Sequence, residues 1–388
     1  MQSRRVNFFY DQPVGCVLAR TTKDQPLADC PGTSGACEHA PYNHLSYLAP
    51  IASRRATNQA CSRRVCRRLL VDCSELSAYL CGALLRHSFY RRGRREALRA
   101  TIDGCCLYSR SQAMHHHPLR PITANEREQY DRAGAVCLRG LFAVEWIDLL
   151  RGAVDESLAR PGPHAEVYTR DGGPGRFTGD LDMWQRIDGF RRFVLESPAA
   201  EIAGRVMQSR KVNFFYDQLL VKEPGTRERT PWHQDQPYWA VDGFQVATVW
   251  LPLDPVPQET CVEFVAGSHR WGRTFNPYHF ADDSPYTGTD WETMPDIDAG
   301  RDRHEILTWS LEPGDCLVFQ AMIVHGAPGN ADLSHRRRAL ATRWTGDDAR
   351  YVIRSGEVAI PTSDPGLKHG DPLDCEMFPL VWRSDEED

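Results

Sequence analysis

The stretch KVNFFYDQLLVKEPG, Lys211 to Gly225, decides the fold. Aromatic and branched side chains crowd it until Pro224–Gly225 breaks the run, so it reads as one long strand closed by a turn. Upstream, the texture is helical. ITANEREQYDRAG (Ile122–Gly134) sets Thr123 three residues before Glu126, a capping-box start, and Gly134 ends it. GAVCLRGLF reads as a short strand and turn. AVEWIDLLRGAVDESLARPG predicts an amphipathic helix with Trp146, Leu149, Leu150 and Val154 on one side and Pro161 beyond its end. A third helix is expected from about Pro198 to Met207.

Downstream, the strand texture continues through FQVATVWLPLD, CVEFVAGS, HEILTWSLEPGD, CLVFQAMIVHG and RRALATRWTG, with Pro, Gly, Asp and Asn between them. Helices first and short strands after predict an α+β chain built on an antiparallel double-sheet barrel with flanking N-terminal helices. The long polar and aromatic stretch from Trp271 to about Arg303 reads as a lid or insertion.

The deciding strand overlaps a repeat. MQSRKVNFFYDQ at Met207–Gln218 also stands at Met1–Gln12, changed only at Arg5. One barrel has one slot for this strand, so the two copies cannot share it. The first copy runs into PVGCVLARTTKD, which continues no strand pattern. Residues 1–113 hold 16 Arg, one Lys and eight acidic residues, and nine of the 13 Cys. That gives them a net charge of about +9 and leaves about −15 for the rest of a chain totalling −6. A short helix over Cys66–Leu85 is the only periodicity there. The expectation is a poorly organised Arg/Cys-rich extension over 1–113, duplicated or misassembled, and a working domain over 114–388.

Composition excludes several classes. At 388 residues with 41% hydrophobic and 25% charged residues, the chain reads as globular. No apolar run reaches the roughly 18 residues of a membrane span. The first residues lack the apolar core of a secretory leader, so a cytoplasmic location with reduced thiols is expected. Three histidines in a row at His115–His117 cannot all face one ion, which argues against a metal site there.

PWHQDQPYW places His233 and Asp235 two residues apart, on one face if both sit in a strand. The pattern alone is weak, and KHGDP repeats it at His369 and Asp371. What distinguishes the first copy lies about ninety residues on. MIVHGAPGN puts His325 beside a Gly/Pro turn, and HRRRALATRW then opens a strand with guanidinium groups. Two imidazoles and one carboxylate make a facial triad with open coordination positions, suited to non-haem Fe(II). An arginine fork matches a carboxylate bidentately.

Taken together, PWHQDQPYW, CVEFVAGSHRWG, PGDCLVF, VHGAPGN and RRALATRW resemble the phytanoyl-CoA dioxygenase family of Fe(II)/2-oxoglutarate oxygenases, in order over roughly residues 118–355. The resemblance implies a double-stranded β-helix of the jelly-roll, cupin-like kind. It implies His233, Asp235 and His325 as iron ligands, and Arg337 as the anchor of the far carboxylate of 2-oxoglutarate. Arg336 takes that role if the preceding loop is counted one residue differently. Gln218 and Trp250 fall where the family lines the cosubstrate, and Cys261 stands where it more often has glycine. The implied reaction uses O₂ to hydroxylate an unactivated C–H of a small molecule, releasing succinate and CO₂. Asp235 argues against halogenation, because related halogenases lack that carboxylate.

Two rival functions remain at this level. A nucleic-acid dealkylating oxygenase would explain the RxxxxxR spacing of Arg337 and Arg343, although the acidic charge beyond residue 113 disfavours nucleic acid. The other is a non-catalytic metal-binding barrel. Trp232, Tyr238 and Trp239 are candidates for a substrate wall or for core. His269 reads as a hairpin residue. No membrane partner is expected, and oligomeric state is not encoded in these patterns.

Overall fold

The computed structural model describes residues 114–169, 174–280 and 284–384. The first dodecapeptide, the helix expected at Cys66–Leu85 and the extension as a whole lie outside the described residues. Four α-helices precede the long strand, interleaved with three short strands: α1 (Ala124–Ala133), α2 (Val144–Ala159), α3 (Asp188–Glu196) and α4 (Ala199–Met207). The capping box is formed at α1, where Thr123 accepts from the Glu126 N–H and the Glu126 carboxylate accepts from the Thr123 N–H. Gly134 then ends the helix at φ 82°. The third helix of the sequence reading is α4, whereas α3 had been passed over.

The larger sheet runs β1 (Ala135–Leu138), β10 (Cys316–Gln320), β7 (Val246–Pro252), β12 (Arg337–Thr345), β4 (Lys211–Lys222), β3 (Phe177–Leu181) and β2 (Glu166–Val167). Its eighth strand, β14 (Leu380–Arg383), pairs with the start of β4. The smaller sheet runs β5 (Thr230–His233), β11 (His325–Ala327), β8 (Glu263–Val265) and β9 (Ile306–Leu307). Val241–Asp242 and Arg350–Tyr351 form a separate antiparallel pair, β6 and β13. Every named strand pairing is antiparallel. The fold therefore mixes helices with antiparallel sheets, as expected in outline. Strand pairing does not close the two sheets into a barrel; they meet through side chains such as Phe264 and Phe319, whose rings are 5.0 Å apart.

Period-two burial sorts the strands. One face of the large sheet sends Leu219, Val221, Val249, Leu251, Val318, Leu340 and Trp344 into a core shared with Trp146, Phe190, Phe193 and Ile202 of the helices. Burying each such aromatic stabilises by roughly 2–3 kcal/mol relative to exposure. The opposite face looks toward the smaller sheet, with Trp250, Leu317, Phe319, Ala339 and Ala341 packed near Phe264. The second dodecapeptide thus becomes the end of α4 and two-thirds of β4. It is flanked on both edges, by β12 on one side and by β3 and β14 on the other.

Candidate active site

His233 and His325 are cross-strand neighbours, paired directly between β5 and β11 with ring centroids 4.2 Å apart. The expected path for Asp235 is corrected: it does not continue the strand. The chain leaves β5 at His233, and Asp235 takes helical backbone angles, φ −73° and ψ −46°, at the head of a 3₁₀ turn. That turn swings the carboxylate back toward the imidazoles. The apolar run CLVFQAMIVHG likewise splits, with β10 in the large sheet and His325 opening β11 in the small one. The backbone N–H groups of Asp235 and Gln236 both donate to the Ala321 carbonyl, at 2.9 and 3.0 Å, stapling the two ligand-bearing segments together.

One potential ligand atom from each of His233, Asp235 and His325 lies within 4.8 Å of the other two, and all three residues are buried. Each imidazole has its Nδ1 against a carbonyl, Pro231 O at 2.8 Å for His233 and Ile323 O at 3.0 Å for His325. A carbonyl only accepts, so Nδ1 carries the hydrogen and Nε2 keeps its lone pair. Both Nε2 atoms turn to Oδ1 of Asp235, at 3.4 and 3.8 Å. Oδ2 of Asp235 is engaged elsewhere, accepting from Thr248 Oγ1 at 3.2 Å with Arg343 at 3.8 Å. The carboxylate is thereby oriented, with one oxygen left for the cluster.

The electrostatics favour an ionised Asp235 and a neutral His325. Burial alone would raise Asp235, but Arg343 and the two imidazoles outweigh it and hold the carboxyl below its usual range. Burial, reinforced by His233, pushes His325 down to about 3, so its ring is neutral near pH 7. Neutral imidazole nitrogens and a carboxylate are ligands for a borderline-hard divalent ion, and the Nδ1–carbonyl bonds are the support such ligands normally need. The donor set fits a mononuclear metal.

Beside the cluster, a cavity of about 40 Å³ runs between the sheets. β12 lines it with Arg337, Ala339, Ala341 and Arg343, alternate residues and therefore one face of the strand. Ala341 pairs with Gln218 on one side and Trp250 on the other, so a small residue sits between the two expected cosubstrate contacts. Arg337 is buried, and its Nη1 donates to the Thr260 carbonyl. Burial without a carboxylate partner lowers the guanidinium to about 10, with Cys261 opposing that shift. Arg336 is placed differently: it lies half-exposed, paired with Glu223 at 3.2 Å. Between the two arginines, only Arg337 reaches the cavity.

Arg343 was noted in the sequence only for its spacing from Arg337, yet it is the more tightly woven residue. It donates to Gln218 Oε1 at 2.7 Å and to the Ala341 carbonyl at 3.1 Å, and it lies over the Tyr216 ring at 4.6 Å. Its signal was legible as Arg-x-Ala-x-Ala-x-Arg, an even spacing that keeps all four residues on one strand face. Phe280 and Tyr168 gave no comparable signal, since they reach the site from irregular segments.

Other candidates fall elsewhere. His369 is exposed and Asp371 half-buried, away from the cluster: His369 Nδ1 accepts from the Ile353 N–H, and Asp371 accepts from the Lys368 N–H. Trp239 and Tyr238 line a second cavity beside His233 and Asp235, whereas Trp232 packs against the cluster around Phe275. His269 meets the Asp131 carbonyl at 3.1 Å, away from the cluster. His117 pairs with Glu201 at 2.7 Å.

Known proteins share this architecture. Ectoine dioxygenase of Sphingopyxis alaskensis is 23% identical over 224 residues, 54% of this chain and 72% of that protein. Dioxygenase cdmD of Talaromyces verruculosus is 23% identical over 248 residues, covering 57% and 72%. Among solved structures, SnoK, a non-haem α-ketoglutarate-dependent carbocyclase from nogalamycin biosynthesis, aligns over 67% of this chain and 97% of its own with a TM-score of 0.55 at 22% identity. The epimerase SnoN from the same biosynthesis aligns over 67% and 98%, with a TM-score of 0.53 at 23% identity.

The fold is shared with non-haem α-ketoglutarate-dependent enzymes, and a buried two-imidazole, one-carboxylate cluster able to hold a metal lies within it. Within that class the chain belongs to the phytanoyl-CoA dioxygenase family, whose profile matches residues 130–339. No helix among the described residues is long and apolar enough to cross a membrane.

Proposed function

We propose that this enzyme hydroxylates an unactivated C–H of a small-molecule substrate, with His233, Asp235 and His325 holding Fe(II) and Arg337 holding the far carboxylate of 2-oxoglutarate. The reaction balances as substrate, 2-oxoglutarate and O₂ giving hydroxylated substrate, succinate and CO₂. Bound iron supplies the redox chemistry that activates O₂. The observation that carries the reading is Arg337. A guanidinium buried in the same cavity as the triad, with a carbonyl but, among the described residues, no carboxylate for partner, is costly unless an anion arrives to pair with it.

The chain's own residues orient and exclude. Pro231 and Ile323 carbonyls fix the imidazole tautomers, while Thr248 and Arg343 engage Oδ2 of Asp235. Phe264 and Phe319 pack beside His325, at 5.9 and 4.8 Å between ring centroids, and keep water from that side. Ala339 and Ala341 are the small residues on the cavity face of β12, between Gln218 and Trp250, beside which the diacid would lie. Two facing sheets with such a site correspond to the double-stranded β-helix of the family. All these residues lie within 114–388, to which we assign the activity.

The test is anaerobic titration with Fe(II) and 2-oxoglutarate, following the metal-to-ligand charge-transfer band. The wild type gives the band, His233→Ala loses it, and His369→Ala keeps it. Equal behaviour of the two variants would overturn the choice of cluster.

A further inference from the structure

A second cavity, about 180 Å³, opens against His233 and Asp235 on the side away from Arg337. Its wall is a run of touching rings. Tyr168 meets Phe280 at 6.3 Å, Phe280 meets Tyr238 at 5.9 Å, and Tyr238 meets Tyr286 at 5.2 Å between centroids. Phe280 also stands edge-on to His233 at 5.0 Å, which ties the wall to the metal cluster. Tyr216 and Trp239, themselves 5.5 Å apart, close the side formed by β4 and the turn after Asp235. The stretch read as a lid supplies Phe280 and Tyr286, so it does contribute to this wall.

Two of the ring hydroxyls, those of Tyr238 and Tyr168, are already engaged. Tyr238 Oη donates to the Tyr278 carbonyl and accepts from the Tyr278 N–H, at 2.9 and 3.0 Å. The Tyr168 hydroxyl is held between Glu166 and Gln218. His279, also on the lining, faces Glu357 at 3.3 Å and stacks on Tyr286 at 4.4 Å. Among the described residues, the lining includes no Lys or Arg. What a ligand meets is mainly aromatic surface edged by Glu166, Gln218 and Asp235, with no described Lys or Arg to receive an anionic head group.

We infer that this cavity selects a flat, unsaturated ring, presented without an anionic group, as the part of the substrate that is oxidised. This deepens the oxygenase reading and rests on it for the chemistry, though not for the recognition. Rings bind rings by offset or edge contacts, whose quadrupole attraction a saturated ring of the same outline lacks. The volume is below the roughly 300 Å³ at which sites for whole drug-sized ligands begin, so it receives one ring system and not a bulky molecule. A long flexible acyl chain with a coenzyme A head suits it on neither count.

Calorimetry on the full chain separates these cases, with 2-naphthol, decahydro-2-naphthol and palmitoyl-CoA as probes, run on metal-free protein and again with Fe(II) and 2-oxoglutarate under argon. The saturated bicycle is at least as hydrophobic, so burial alone would favour it or give a tie. Two or more ring contacts give 2-naphthol about a tenfold advantage. Tyr286→Leu, which keeps an apolar side chain but removes the ring, cuts that advantage to about threefold or less, and the charge-transfer band still forms. Tighter binding of decahydro-2-naphthol, saturable palmitoyl-CoA binding at lower concentration, or an unchanged ratio in Tyr286→Leu would overturn the inference. Loss of the band in wild type with the ring preference intact would instead overturn the oxygenase reading alone.

Discussion

Along β12, the side chains at 337, 339, 341 and 343 enter the cavity, while Leu340 and Trp344 meet the helices. The two faces of this one strand obey different rules. Toward the helices, space is filled: Trp344 is fully buried, edge-on to Phe214 at 5.2 Å, and its indole N–H donates to Thr342 Oγ1 at 2.9 Å. Toward the cavity, space is withheld by two alanines and charge is stored in two buried arginines. A face built for stability and a face built for binding therefore alternate residue by residue, and substitutions at neighbouring positions should separate them.

The largest effect is expected on the filled face. Trp344→Ala removes a large ring and the indole N–H that Thr342 accepts from, leaving the Thr342 hydroxyl its bond to the Val249 carbonyl, and costs about 3–5 kcal/mol of stability. Because no atom of Trp344 lines the cavity, the folded variant still binds 2-oxoglutarate within a few-fold of wild type. Denaturant unfolding and band titration at low temperature check the two halves. A large loss of affinity without loss of stability would show that the faces are not independent.

The next contrast uses adjacent arginines on opposite faces. Arg337→Ala should weaken 2-oxoglutarate binding by about 1.5–3 kcal/mol, the worth of hydrogen bonds to a charged group, or roughly 10- to 150-fold. Arg338 is bound bidentately to Asp254, at 3.0 and 2.8 Å, outside the cavity. Arg338→Ala should leave the affinity within about threefold and lower stability, because it strips the mostly buried Asp254 carboxylate of its bidentate partner. Comparable losses of affinity in both variants would remove Arg337 from its proposed role.

This alternation also explains what the sequence could and could not disclose. Period-two burial, capping and turn residues are local, so α1, α2, β4, β7 and β12 could be read from Thr123, Glu126, Pro224 and the spacing of branched residues. His233 and His325 were singled out by their flanks, but not their direct pairing across β5 and β11, which depends on contact between segments ninety residues apart. The strand geometry expected for Asp235 was wrong because two N–H bonds to Ala321, invisible in the local pattern, hold the turn. The helix α3 was missed for the converse reason. It is short and lacks a side-chain cap, and it is held by Phe190, Phe193 and Val194 in the core. The aromatic wall draws on four separate segments, so no local pattern could announce it.

The smallest effect concerns β4, where Asp217 and Gln218 point to opposite faces. Gln218 accepts from Arg343, whereas Asp217 is buried toward the helices with Oδ2 on the Trp184 N–H at 3.1 Å and no partner for Oδ1. Burial, with Asp182 nearby, pushes Asp217 up to about 8. Asp235, equally deep but beside Arg343 and two imidazoles, moves the other way, so the partner and not the depth sets the sign. An unfolded Asp217 loses its proton near pH 4. Between there and about pH 8 the folded chain holds a proton that the unfolded chain lacks, so raising the pH removes stability. The contribution is complete below about pH 4, drains by up to about 1.4 kcal/mol per pH unit, and is gone above about pH 8. Asp217→Asn keeps the acceptor for Trp184 and carries no charge. Urea unfolding at pH 5.5, 6.5 and 7.5 should therefore show the variant gaining on wild type at each step, by about 1 kcal/mol per unit. Parallel curves would mean that Asp217 is ionised in the fold, and that the helix-covered face tolerates a bare carboxylate as readily as the cavity does.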